Sequence, residues 1–287
     1  MKILKVLKDF NELVMFKHTI FSLPFIFVAM VVSANGWFGW KLLGLGLLAA
    51  ISARNFAMGV NRYLDKDIDK LNPRTANRPS VDGRIGDIAQ IVFILLNAFL
   101  FIVVAYFINS LAFWLSFVIL FILAAYSFFK RFSEFAHLIL GISLGLAPIA
   151  GVIAVEAKIT LWSIFLAIGV MFWVAGFDLL YSLQDIEFDK KMRLYSIPSI
   201  YGAKCTLFLS KIFHILTILF WLLFVIEAKL GIVTYFAVLI GAVMLYFEHK
   251  IISKDFTKID KAFFTINGYL GVIFFILVVI DRVVANG

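Results

Sequence analysis

Charge is scarce in this 287-residue chain. Charged residues make up 15% of it and hydrophobic residues 63%, against roughly a quarter and a half in soluble domains. That balance excludes a water-soluble globular domain. A single cysteine, Cys205, excludes an internal disulfide and reads as a structural thiol. No G-x4-G-K-[ST] or G-x-G-x2-G stretch is present, which removes the usual phosphate loops of soluble nucleotide enzymes. Without HExxH or C-x2-C, the common zinc sites are excluded as well. The alternation of barrel strands is also missing, so backbone groups inside a bilayer must be satisfied within helices.

What the chain has in quantity is long apolar runs. A spanning helix needs about 20 mostly apolar residues, and nine such runs lie near 18–34, 40–60, 88–107, 110–129, 136–154, 159–181, 205–226, 229–247 and 262–281. The expected fold is an all-α polytopic membrane protein, a bundle of nine transmembrane helices forming one domain over 1–287 with Asp-rich cytoplasmic loops. Val32-Ser33-Ala34 resembles a signal-peptidase site, but the segment before the first run is too long and amphipathic for a simple leader, so that span is read as retained. Leu4, Leu7, Phe10 and Val14 on one side of residues 1–17, with Lys5, Lys8 and Glu12 on others, suit either an interfacial helix or a solvated leader.

Lys and Arg concentrate in the N-terminal arm and in alternate loops, from Arg62 to Arg84, at Lys130 and Arg131, from Lys190 to Lys211 and from Lys250 to Lys261. By the positive-inside rule the N-terminus is cytoplasmic, and nine spans put the C-terminus outside. The net charge of +8 then reflects orientation in a lipid bilayer, and no nucleic-acid partner is implied.

Two polar stripes stand out, Asn61-x3-Asp65-x3-Asp69 and Asp185-x3-Asp189. Positions four apart share a helix face, and an even number of spans separates the stripes, so both meet the same side of the membrane. Solvated loop charges are the plain alternative. The repeat of the spacing beside bases argues instead for divalent cations: Arg74 and Arg78 follow the first stripe, and Lys190, Lys191 and Arg193 the second. Magnesium is typically held by one or two carboxylates plus substrate phosphate oxygens, and the bases suit the remaining oxygens. The implied substrate is a diphosphate with a lipidic tail. Asp67 and Glu187, two positions off each stripe, are expected to face solvent. Arg54 and Asp178, each seven residues before a stripe, lie within spans and are functional candidates or a structural ion pair. His18, His137, His214 and His249 show no ligand spacing and read as structural or interfacial.

The stretches "NRYLDKDIDKLNPRTANRPS", "YSFFKR" and "GFDLLYSLQDIEFDKK" after the second, fourth and sixth spans resemble the UbiA-type membrane prenyltransferases, over essentially the whole chain. The chain is especially similar to bacterial members acting on 4-hydroxybenzoate or a dihydroxynaphthoate in quinone synthesis. The resemblance implies Mg2+ as cofactor, with Asp65 and Asp69 holding one ion, Asp185 and Asp189 the other, and Asn61 joining the first. It further implies Arg74, Arg78 and Lys130 on the diphosphate of a polyprenyl diphosphate. Tyr126 falls near the reacting allylic carbon, though an interfacial aromatic is the alternative. Arg54 and Asp178, with Arg131 a weaker candidate, fall toward the aromatic acid acceptor. The implied location is a bacterial inner membrane. The rival reading is a multi-spanning ion or solute transporter, but transporters usually set their charges near the midplane on broken helices, whereas these carboxylates lie at one membrane edge.

Overall fold

The computed structural model describes residues 2–15, 23–129 and 131–286, and among them every regular element is helical. A short N-terminal helix α1 (Lys2–Leu13) precedes α2 (Leu23–Ser33), α3 (Trp40–Leu64), α4 (Lys66–Asp69), α5 (Asp87–Ile108), α6 (Ser110–Phe129) and α7 (Ala136–Glu156). After these come α8 (Leu161–Ser182), α9 (Ile186–Met192), α10 (Ile197–Glu227), α11 (Ile232–Ile252), α12 (Ile259–Ala262) and α13 (Gly268–Asn286). Among the described residues, eight helices are long and apolar enough to cross a membrane. The expected first span, near 18–34, is described only from Leu23 onward, as the shorter apolar helix α2. The protein is an integral membrane bundle.

Local sequence accounts for the element ends. A capping box of Thr160 and Ser163 starts α8, and one of Ser196 and Ser199, with Pro198 in the first turn, starts α10. Gly202 interrupts α10 with φ 78, a left-handed conformation that glycine adopts without a Cβ penalty. The span expected from 205 is therefore the part of α10 beyond that kink.

Two of the apolar centres in the bundle flank the acidic stripes. Phe25 of α2, Trp173 of α8, Trp221 of α10 and Phe274 of α13 stack in the larger one, with Phe25 5.2 Å from Trp173 and 5.4 Å from Trp221 between ring centroids. Phe56 of α3, Phe101 of α5 and Leu120 and Leu123 of α6 form the smaller. The small residues of 141–151 serve close packing: a Cβ on Gly141 would lie 2.4 Å from the Met171 carbonyl of α8, and one on Gly151 2.5 Å from the Ile26 carbonyl of α2. Each acidic stripe ends a helix of a different centre, α3 for the first and α8 for the second. The groove between the two halves is where they meet.

The N-terminal arm folds back onto this groove. Phe10 stacks on Phe93 at 4.7 Å and Val14 is buried, while Leu4 and Leu7 are exposed. The apolar set of the arm is thus split between protein and the surroundings. Arg84 grips Glu12 through two hydrogen bonds, 2.7 and 2.8 Å, and reaches Asp9 at 3.4 Å. The hydrogen bond from Arg84 holds the Glu12 carboxyl below its ordinary 4.5. A carboxylate with a lowered folded pKa contributes stability above its ordinary value and loses it as pH falls through the lowered one. Hydrogen exchange of α1 amides, corrected for intrinsic rate, is therefore expected to hold steady from about pH 7 to 5 and to accelerate below about pH 4.

Candidate active site

Helix α3 runs past the expected end of its span and carries Asn61 to the membrane edge. It breaks at Asp65, whose φ −88 and ψ 1 lie outside the helical region, and a single turn, α4, ends at Asp69. Despite the break, Asn61 Nδ2 donates to Asp65 Oδ2 at 2.8 Å, so the four-residue spacing brings the pair together. Asp65 and Asp69 are 1% and 5% exposed. In the second stripe α8 tightens into a 3-10 turn, Leu183–Asp185, before α9 presents Asp189. Ser196, at the start of α10, donates its hydroxyl to Asp189 Oδ2 at 2.8 Å.

The loop after α4 ties the stripes together. Arg74 crosses to the second stripe, donating to Asp185 through Nε at 3.1 Å and Nη2 at 2.5 Å, and to the Tyr181 hydroxyl at 3.2 Å. Asn72 Nδ2 donates to the same carboxylate at 3.1 Å. Arg78 stays with the first stripe, 2.5 Å from Asp69, and the Thr75 hydroxyl caps the Asp69 carbonyl at 2.9 Å. All four aspartates, Asn61, Arg74, Arg78 and Tyr126 line one cavity of about 350 Å³, and Arg54 and Asp178 also belong to its wall. A second, apolar cavity of about 160 Å³ adjoins it, sharing Arg54, Met58, Tyr126, Leu140 and Leu144, and continues between Ala53, Phe101, Leu123 and Ala147.

Other expected positions fall elsewhere. Lys130 lies outside the described residues. Arg131 does not line the cavity: it bonds Asp67 at 2.7 Å and the Leu64 carbonyl at 2.5 Å. That hydrogen bond holds the Asp67 carboxyl below the usual aspartate range. Asp67 thus points away from the stripe as expected, but onto an arginine rather than into solvent alone. Glu187 is fully solvated, its side chain 91% exposed. Lys190, Lys191 and Arg193 are absent from the cavity wall.

Arg54 and Asp178 do not form the ion pair that was one alternative for them. Arg54 Nη2 donates to the Met15 carbonyl at 3.2 Å, so the N-terminal arm closes this side of the cavity. Asp178 pairs with His137 Nδ1 at 2.7 Å. Asn72, Thr75, Tyr181, Ser196 and the buried Arg62 line the cavity without having been assigned to a site from the sequence, and so does His137, expected from the sequence to be structural or interfacial. For His137 the signal was present, an ionisable side chain at the start of an apolar run, the same criterion that marked Arg54.

The donor set suits a hard divalent cation. Among the described residues no three His, Cys, Asp or Glu side chains gather closely enough to hold an ion by themselves. Two carboxylates on each side, all oxygen donors, fit magnesium completed by substrate oxygens, and do not fit a zinc cage.

Residues 22–278 match the family described as the UbiA prenyltransferase family. A 4-hydroxybenzoate octaprenyltransferase of Herminiimonas arsenicoxydans is 26% identical over 89% of this chain and 90% of its own. One from a Marinomonas species is 29% identical over 68% of this chain and 70% of its own. Among solved structures, a UbiA homolog from Aeropyrum pernix K1 in its apo form superposes with a TM-score of 0.83 at 30% identity, over 92% of this chain and 98% of that one. A UbiA homolog from Archaeoglobus fulgidus bound to GPP and Mg2+ shares the fold with a TM-score of 0.75 at 19% identity, covering 94% and 99%.

Proposed function

The chain belongs to the UbiA prenyltransferase family, and from that premise we propose that it moves a polyprenyl group from polyprenyl diphosphate to the ring of an aromatic acid, 4-hydroxybenzoate or a dihydroxynaphthoate, for quinone biosynthesis. The observation that carries this reading is the union of both acidic stripes around one cavity, joined by Arg74 and Asn72 on Asp185, with an apolar cavity leading away past Tyr126. A diphosphate fits between the stripes and a lipidic tail fits the apolar extension. The names of the curated relatives support the hydroxybenzoate acceptor.

Asp65 and Asp69 would hold one magnesium ion and Asp185 and Asp189 another, with Asn61 fixing Asp65. Bound there, the ions would neutralise the charge that builds on departing diphosphate. In this structure Arg78 sits on Asp69 and Arg74 on Asp185. Substrate binding then requires an exchange in which each guanidinium leaves its carboxylate for phosphate oxygens, where its fork matches two of them. Until that exchange, the arginines neutralise carboxylates that would otherwise repel the substrate. Ionisation leaves an allylic cation beside Tyr126, whose ring face is able to stabilise it. The apolar wall and the arm at Met15 keep water from that cation, and Arg54, which lines both cavities together with Tyr126, would meet the acceptor carboxylate. The concentration of Lys and Arg argues that this edge of the bundle faces the cytoplasm of a bacterial inner membrane, with the C-terminus outside.

The test is release of diphosphate by purified protein in lipid nanodiscs. With a polyprenyl diphosphate and magnesium, release should require one of the aromatic acids, yield the alkylated ring and stop on chelation. A transporter would release no diphosphate under any of these conditions.

A further inference from the structure

Alkylation at a ring carbon leaves a proton to be removed, and neither the arginines nor the ion-paired aspartates of the stripes are suited to take it. Arginine stays protonated in proteins, and a carboxylate committed to a cation is a poor base. His137 is the one histidine among the described residues lining the cavity, and neutral imidazole is a base near physiological pH. It lies in the first turn of α7, 5% exposed. Its Nδ1 is 2.7 Å from an Asp178 carboxylate oxygen. An ionised carboxylate only accepts hydrogen bonds, so beside ionised Asp178 the imidazole donates through Nδ1, and its neutral form carries its lone pair on Nε2. Nε2 is buried and has no hydrogen-bond partner among the described residues. Polar groups lining the same cavity include Asp178 and Tyr181 of α8, Tyr126 of α6, and Arg54 and Arg62 of α3.

We propose that His137 is the general base of the transfer and that Asp178 is its positioning residue. The inference rests on the prenyl-acceptor reading above. The allylic C–O bond breaks and diphosphate leaves with the electron pair. The ring carbon ortho to the acceptor hydroxyl forms the new bond to the allylic carbon. The ring C–H bond then breaks, its electrons restore aromaticity, and the proton passes to His137 Nε2. The imidazolium so formed is stabilised by Asp178 through Nδ1–H, the same division of labour by which a carboxylate fixes the tautomer of a catalytic histidine.

The experiment compares the intact protein with His137→Gln and Asp178→Asn in nanodiscs, using geranyl diphosphate, magnesium and 4-hydroxybenzoate, protonated or deuterated at the ring positions ortho to the hydroxyl. His137→Gln is expected to lower kcat on the order of 10²-fold or more while donor affinity and acceptor KM change by less than about threefold. Asp178→Asn should lower kcat on the order of tenfold or more with the same split. In both variants ring deuteration should slow turnover further than it slows the unaltered protein, because proton removal becomes the slow step. Donor binding reports that each variant is folded. A His137→Gln protein with kcat within about threefold of normal overturns the inference. So does a loss of kcat in both variants that is insensitive to ring deuteration, or one matched by equal loss of donor affinity. If the unaltered protein alkylates no aromatic acid, the proposed function itself fails and this inference with it.

Discussion

Asp185→Asn is expected to lower prenyl transfer on the order of 10³-fold, the largest effect of any single change in this protein. The substitution keeps the shape of the side chain and removes its charge. In doing so it would deprive the proposed ion of a ligand, and it removes the carboxylate on which Arg74 and Asn72 converge from across the cavity. Because the residue sits in a 3-10 turn beyond α8, membrane insertion should be unaffected. Asp67→Asn and Glu187→Gln, off the stripes, should stay within about threefold, since Asp67 is tied to Arg131 outside the cavity and Glu187 is solvated. Transfer assays on equal amounts of inserted protein check this, and equal damage from on-stripe and off-stripe changes would remove the geometric basis of the site.

Arg78→Ala is expected to weaken polyprenyl diphosphate binding by about 2–3 kcal/mol, the size of a charge-assisted hydrogen bond, or on the order of 10²-fold. Its guanidinium is 2.5 Å from Asp69, so its loss would remove the proposed phosphate partner and also leaves a buried carboxylate uncompensated. Turnover should fall as well, because charge on the leaving group grows in the transition state. Arg54→Ala provides the contrast. That side chain donates to the Met15 carbonyl and lines both cavities. Donor affinity should change by less than about threefold, while the acceptor requirement rises and captured water yields more free prenyl alcohol. Donor affinity, acceptor KM and alcohol by-product, measured for both variants, separate the two roles. Arg54→Ala losing donor affinity as severely as Arg78→Ala, with a normal acceptor requirement, would move Arg54 into the phosphate clamp.

These residues also mark how far the sequence could be read. The helical bundle and the pairing of Asn61 with Asp65 follow from local signals, the length of apolar runs and the four-residue spacing, and neither depends on tertiary packing. Partners across helices do depend on it. Arg54 and Asp178 hold equivalent places before their stripes, which made an ion pair between them reasonable. The rotation of α3 and α8 instead gives Arg54 to the Met15 carbonyl and Asp178 to His137. Likewise nothing local to Arg74 says that it reaches the second stripe rather than the first, or that Arg131 is held by Asp67 and the end of α3. His137 was passed over because metal-ligand spacing was the criterion applied to histidines, and its role is argued from a carboxylate partner 41 positions away in sequence.

The central claim is that two stripes from opposite halves of the bundle form one metal-dependent diphosphate site. A double-mutant cycle on geranyl diphosphate binding tests it most directly, measured with and without magnesium for the unaltered protein, Asp69→Asn, Asp185→Asn and the two combined. A single site predicts that binding needs magnesium, that either substitution removes most of it, and that the pair loses little more than either alone, with coupling of about 1–3 kcal/mol. Metal-independent binding, or losses that simply add, would mean that the two stripes act separately.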